Sequence, residues 1–256
     1  MATPYLAVKN LSMAYGDQLI QHDLNFTITR GDIFIIMGGS GCGKSTLLRH
    51  MIGLQRPITG DVYYENQAYW QADEARQQRI LQRTGVLFQS GALFSSMTLA
   101  ENIALPLSTA TRLSANQIKD LVAYKLALVG LSGFGDYYPA EMSGGMQKRA
   151  GLARAMALDP EILYCDEPSA GLDPISAKLL DDLLLNLRDS LSTTIVMVTH
   201  ELASIFAIGT NSVFLDAETK TQLVTGDPKQ LLNSCTLPKV QQFLTRSLAH
   251  SEPFCE

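Results

Sequence analysis

A run from Asp32 to Met37 leads directly into Gly38-Gly39-Ser40-Gly41-Cys42-Gly43-Lys44-Ser45-Thr46, and a helical pattern follows from about Gly43 to Gly53. The stretch fits G-x-x-x-x-G-K-[ST] in full, and strand, glycine-rich loop and helix in that order is the setting such a loop requires. Few folds supply that setting, and the alternation of strands and helices along the rest of the chain argues for a mostly parallel α/β sheet around it. Glycines let backbone N–H groups close around phosphate oxygens, and the helix N-terminus adds positive potential. Lys44 reaches the terminal phosphates of a nucleotide, and the Ser45 hydroxyl is a ligand for Mg2+.

The surrounding pattern agrees. Tyr5 to Val8 and Leu24 to Thr29 read as strands separated by a turn at Tyr15-Gly16-Asp17, an N-terminal β-region ahead of the loop. Gly60 to Glu65 and Gly85 to Phe88 read as further strands, with a polar helix over Asp73 to Gln82 between them. From about residue 90 to 157 the pattern turns helical, as an inserted lobe would. Ser114 and Gln117 form a capping box, Ile118, Leu121, Val122, Leu126 and Val129 recur at helical spacing, and a second helix starts at Ser143. Strands then alternate with helices again: Ile162 to Cys165, Pro174 to Asp189, Thr193 to Thr199, and a short helix opened by Asp227-Pro228. Residues 1–233 are thus expected to form one domain. Residues 234–256 form a tail whose Leu237, Val240, Phe243, Leu244 and Leu248 make an amphipathic helix that docks on this chain or a partner.

Several polar residues fall where ligands of open α/β sheets bind, at strand ends. Asp166 ends the strand Ile162 to Cys165 and suits the magnesium, and Glu167 follows it in a position to polarise attacking water. His200 ends the strand Ile195 to Thr199 and is placed to meet the terminal phosphate, and Gln89 ends Val86 to Phe88, within reach of magnesium or water. Ser143, Gly144 and Gly145 open a helix whose positive end is left free to face an anion. Two phosphate-binding elements so far apart in one chain are explained by a head-to-tail dimer, in which each Ser143 caps the ATP on the other copy's glycine loop.

Composition narrows the partners. The chain has 256 residues, 46% of them apolar, which fills a substantial core. A net charge of -5 without Lys/Arg runs offers nothing to nucleic acid. Apolar runs such as Ile33 to Met37 and Leu183 to Leu185 fall far short of the roughly 20 residues that cross a bilayer, so any membrane-spanning part is expected in another chain. Met1 to Tyr5 does not resemble an export signal, which leads to a cytoplasmic expectation. Cys42, Cys165, Cys235 and Cys255 are scattered and read as free thiols. Cys42 lies inside the glycine loop, where alkylation should obstruct nucleotide.

Taken together, Gly38 to Thr46, Gln89, Met142 to Met146, Ile162 to Glu167, Ser169-Ala170-Gly171-Leu172-Asp173 and His200 resemble, in order and spacing, the ATP-binding subunits of ABC transporters. The resemblance implies a P-loop ATPase with a mostly parallel sheet, an N-terminal antiparallel β-subdomain and a helical lobe. It implies that Tyr15 stacks on adenine, Gln89 is the Q-loop, Ser143 to Met146 the signature, Glu167 the general base, Asp173 the D-loop acid and His200 the switch histidine. The chain departs from the usual Leu-Ser-Gly-Gly-Gln signature at Met142 and Met146.

That wording, with Phe88 to Thr98 and Asn102 to Leu107, is similar to a narrower group, the ATPases of Mla (maintenance of lipid asymmetry) phospholipid transport. This second resemblance implies an integral membrane permease, an MCE-domain protein and a small STAS-domain protein as partners, and a peripheral place on the inner membrane. Lys148, Arg149 and Arg154 are expected to pair locally with acids, and Phe94, Met97 and Leu99 either to form a groove for a permease helix or to pack internally. An ABC ATPase for another cargo, a non-transport member and an ATP-gated switch without turnover are the competing readings.

Overall fold

The computed structural model describes residues 4–245. An antiparallel hairpin comes first, β1 (Leu6–Tyr15) and β2 (Gln18–Ile28), followed by β3 (Ile33–Gly38) and α1 (Lys44–Met51). Then come β4 (Thr59–Tyr64), β5 (Gln67–Ala68), α2 (Glu74–Gln82) and β6 (Thr84–Leu87). The helices α3 (Leu99–Ala110), α4 (Ala115–Leu128) and α5 (Gly144–Ala155) pack on one another as a helical lobe. The chain returns through β7 (Ile162–Asp166), α6 (Pro174–Leu191), β8 (Thr194–Val198), α7 (Leu202–Ile208), β9 (Asn211–Asp216) and β10 (Thr221–Gly226), and the described part ends with α8 (Pro228–Ser234) and α9 (Pro238–Thr245).

Two sheets result. One is antiparallel in the order β2-β1-β4-β5, and the other runs β10-β9-β3-β8-β7-β6, parallel except for β10. All six residues of β3 are buried, and their alternation decides the layering. Ile33, Ile35 and Met37 face the side that holds α5, α6 and the lobe, whereas Phe34 and Ile36 face α1 and the antiparallel sheet. A strand covered on both faces needs an unbroken apolar run, as its sequence shows.

Caps set the helix starts. Asp73, Ser143, Asp173 and Asp227 each accept from a backbone N–H of the first turn, and Ser114 with Gln117 closes a full capping box. The helix α3 is not among the helices expected individually from the sequence, although Thr98 and Glu101 form a second capping box there. Pro106 lies inside that helix, where it removes one backbone donor, and its presence masks the helical pattern. The hairpin strands are also longer than expected, because bulges between Val8 and Met13 break the alternation without ending the pairing.

The tail packs inward as far as it is described. Val240 and Leu244 of α9 are buried, and the Phe243 ring meets Phe214 edge-on at 5.3 Å. Leu248 and Cys255 lie outside the described residues.

One buried group makes stability depend on pH. His50 of α1 is fully buried, its Nδ1–H donates to the Gln55 carbonyl at 2.5 Å, and Nε2 has no partner among the described residues. Burial disfavours the imidazolium and pushes its pKa below 6.5, with the Gln55 carbonyl opposing. The unfolded chain therefore binds a proton that the folded one resists, so this contribution is complete above pH 6.5 and is lost as pH falls. Urea titrations below that pH should show His50→Gln flattening the decline, and parallel curves for parent and variant would contradict the assignment.

Candidate active site

The parallel register aligns the ends of four neighbouring strands. Ile36 of β3 pairs with Val198 of β8, Val198 with Asp166 of β7, and Cys165 with Leu87 of β6. The residues that follow those positions therefore emerge at one edge: the glycine loop, His200, Asp166-Glu167 and Gln89. They line or border an open cavity of about 690 Å³. Its walls include Tyr15, Gly38, Gly39, Ser40, Gly41, Gly43, Lys44, Ser45, Thr46, Gln89, Glu167 and His200.

The loop's shape depends on two glycines in particular. A Cβ on Gly38, at φ 146°, would stand 2.3 Å from the Leu215 carbonyl oxygen of β9, and one on Gly43, at φ 94°, would stand 2.6 Å from Ile20. Lys44 Nζ donates to the carbonyls of Gly38 and Gly39 at 3.0 and 2.9 Å, which holds the ammonium over the loop. Gln21 was missed by sequence reasoning. Its buried Nε2 donates to the carbonyls of Cys42 and Asp216, both at 2.8 Å, and so ties the loop to the end of β9. A lone glutamine in an alternating strand carries no signal for that. Phe243 of α9 also lines the cavity and was read only as part of an amphipathic tail.

Ser45 Oγ donates to Asp166 Oδ1 at 2.8 Å. A hydroxyl and a carboxylate converging in this way are hard oxygen donors, and magnesium takes few protein ligands beside substrate phosphates. The pair fits that ion, with exposed Gln89 on the cavity wall as a third donor. Glu167 Oε1 lies 2.9 Å from His200 Nδ1, while Oε2 is buried without a partner among the described residues. A buried carboxylate oxygen left with free lone pairs beside the phosphate loop has the geometry of a proton acceptor.

Tyr15 is half exposed at the cavity mouth, its hydroxyl 3.5 Å from Thr46 Oγ1 and accepting from Arg49 at 3.2 Å. The Thr46 bond first, and then Arg49, hold the phenol below its ordinary pKa, with burial opposing.

Other expected residues are not brought to this cavity. Ser143 and Gly144 are exposed, Ser143 Oγ caps α5 by accepting from Met146 N at 3.3 Å, and a Cβ on Gly145 would touch Ser176 of α6. Asp173 caps α6 through the N–H groups of Ile175 and Ser176, both at 3.0 Å, and its contacts with Ser176 lower its carboxyl pKa. Neither segment lines the nucleotide cavity of its own chain.

One expectation is corrected, and one that was open is decided for Leu99. Among the described residues Lys148, Arg149 and Arg154 do not pair with acids: they donate to the carbonyls of Ala170, Val129 and Ala92, respectively. Leu99 is fully buried and takes no part in a surface groove, whereas Phe94 is half exposed beneath the Arg154 guanidinium. Asn102 holds the backbone of this segment. Buried in α3, it bonds both backbone groups of Phe94 and the carbonyls of Met97 and Thr98, which fixes the turn after Gln89.

Sheet, loop and strand-end carboxylates together define a P-loop nucleotide-binding protein. The model of the ABC transporter family matches residues 21–170, and the chain belongs to that family and carries its ATPase domain. The probable ribonucleotide transport ATP-binding protein mkl of Mycobacterium bovis is 39% identical over 239 residues, 93% of this chain. This chain spans 66% of that protein's length. The intermembrane phospholipid transport system ATP-binding protein MlaF of Haemophilus influenzae is 38% identical over 239 residues, 93% of this chain and 89% of its own. Among solved structures, the dimeric ATP-binding cassette MJ0796, in a post-hydrolysis state bound to ADP and Pi, matches with a TM-score of 0.78 at 29% identity, covering 87% of this chain and 98% of that one.

Cys42 tests the loop's packing. Its thiol is buried, and burial raises its pKa, with Lys44 opposing. Maleimide should label it slowly in the native chain and rapidly in denaturant, and labelled chains should fail to bind ATP. Rapid native labelling with ATP binding intact would contradict the inward placement.

Proposed function

We propose that this chain is the ATP-hydrolysing subunit of a membrane ABC transporter that moves phospholipid between bacterial membranes. The observation that carries the hydrolytic part is the Glu167–His200 contact at 2.9 Å beside the phosphate loop, with Glu167 Oε2 free to accept a proton. In this reading Tyr15 stacks on adenine, residues 38–46 hold the phosphates, and Glu167 takes the proton of the attacking water while His200 orients the carboxylate and meets the terminal phosphate. Ser45, Asp166 and Gln89 would hold Mg2+, whose charge, when bound, neutralises that of the phosphate oxygens.

The other half of the site comes from a second copy. Ser143 and Gly144 stand exposed and Gly145 partly exposed at the N-terminus of α5, away from the chain's own cavity, as a cap on the partner's ATP in a head-to-tail dimer requires. Asp173 approaches the same interface. ATP binding closes the two copies, hydrolysis releases them, and the permease responds to the lobe's movement.

The lipid cargo is supported by the likeness to MlaF over most of both chains and by the Met146 signature. It carries with it an MCE-domain protein and a small STAS-domain protein as partners, and a peripheral place on the cytoplasmic side of the inner membrane. No described helix is long and apolar enough to cross a membrane, which leaves that task to the permease. Phe94 and the half-exposed Tyr137 and Tyr138 offer it an aromatic surface, their loops joined by the Leu99 N–H bond to the Tyr137 carbonyl at 2.9 Å. The likeness to mkl favours a ribonucleotide cargo as the second reading.

Glu167→Gln should lower kcat by about 10²–10⁴-fold and leave an ATP-bound dimer that persists on gel filtration. Hydrolysis at the parent rate would remove Glu167 from the mechanism. Purified from membranes in mild detergent, the chain should bring with it a permease and phospholipid. Recovery with a permease for ribonucleotides would replace the lipid cargo.

A further inference from the structure

Lys148 lies on α5 beyond the Ser143 cap, with its side chain buried. Its ammonium donates to the Ala170 carbonyl at 2.7 Å and to the Glu167 carbonyl at 3.5 Å. The Glu167 carbonyl also accepts the Ala170 N–H at 3.2 Å, so the turn from Glu167 to Ala170 closes on itself and is tied to α5 by one cation. No ion pair involves Lys148 among the described residues. A buried ammonium facing carbonyls is a costly way to fill space, and a methionine would pack there without that cost.

Glu167 needs external support. Its φ is 48°, a left-handed conformation that glutamate adopts rarely and that persists only where the surroundings impose it. Its N–H is fixed by the Val198 carbonyl of β8 at 2.9 Å, its carboxylate meets His200, and its carbonyl meets Lys148. Three contacts thus hold one residue, two from the end of β8 and the residues after it, and only Lys148 belongs to the lobe.

The helix that carries Lys148 is itself fastened to the segment after Gln89. A Cβ on Gly151 would stand 2.9 Å from the Gly91 carbonyl oxygen, and Arg154 donates to the Ala92 carbonyl. Ser143 and Lys148 are about 7.5 Å apart along the helix axis, at 1.5 Å per residue.

We infer that Lys148 is a positioning residue for hydrolysis: it fixes the backbone of Glu167 so that the carboxylate is aimed, and it couples that aim to the seating of α5 on the partner's nucleotide. The inference rests on the reading of Glu167 as general base. One helix then reports on two sites of the dimer, the partner's at its N-terminus and its own through Lys148.

The test compares Lys148→Met, Lys148→Arg and Glu167→Gln in the full chain, with steady-state ATPase kinetics and thermal melting. Lys148→Met is expected to lower kcat about tenfold while KM for ATP and the melting midpoint stay near those of the parent, and Lys148→Arg should recover most of the lost rate. If Lys148→Met hydrolyses at the parent rate while Glu167→Gln does not, the role of Lys148 is overturned and the base reading stands. A matched loss of melting temperature and ATP affinity without rescue by arginine would make Lys148 a packing residue and overturn the inference as well. Parent-rate hydrolysis by Glu167→Gln would remove the base reading, and this inference with it.

Discussion

The parallel pairing of β3 with β8 and of β8 with β7 is the constraint on which the site depends. Because Ile36, Val198 and Asp166 lie at one level across three strands, the loop after β3 and the polar residues after β8 and β7 leave the sheet together. A slip of one residue in either pairing would turn each side chain of the slipped strand to the opposite face. It would also separate Ser45 from Asp166 and His200 from Glu167. The buried alternation of β3, with Ile33, Ile35 and Met37 on one side and Phe34 and Ile36 on the other, opposes such a slip. The register is thus maintained by the core and expressed at the edge.

Much of this was legible in the chain. The glycine loop announces its strand and helix because phosphate binding demands that order, and strand-end carboxylates can be placed once their apolar runs are recognised. Legibility failed where a residue acts through geometry that no local pattern encodes. Gln21 bridges two backbone carbonyls that are remote in sequence, and Lys148 reaches carbonyls on a turn some twenty positions away. The bonds of Asn102 to the segment before α3 have no local signature, and Pro106 obscures a helix start that Thr98 and Glu101 mark. Charge alone suggests acids as partners for the three basic side chains of α5, but carbonyls left open at turns and helix ends also accept from Lys and Arg, and those are the partners here.

The chain's own cavity holds the phosphate loop, Gln89, Glu167 and His200, whereas the exposed Ser143-Gly144 end of α5 stands apart. That division fits a machine in which neither copy completes its site alone. In such a machine α5 occupies the decisive position. It offers its N-terminus to the partner, packs against Gly91 in the segment after Gln89, and reaches through Lys148 to the turn of Glu167. Lobe movement and water activation are then linked through a single helix.

Completion of the site in trans is the central claim, and mixing two inactive chains tests it most directly. Lys44→Ala removes the phosphate contact of one copy, and Ser143→Arg blocks the cap of the other. Each variant alone should hydrolyse no ATP above background. Their mixture forms heterodimers with one intact composite site, the unaltered loop of one copy facing the unaltered Ser143 of its partner, and should regain hydrolysis. A mixture as inactive as its components, in which heterodimers are nevertheless detected, would contradict the account.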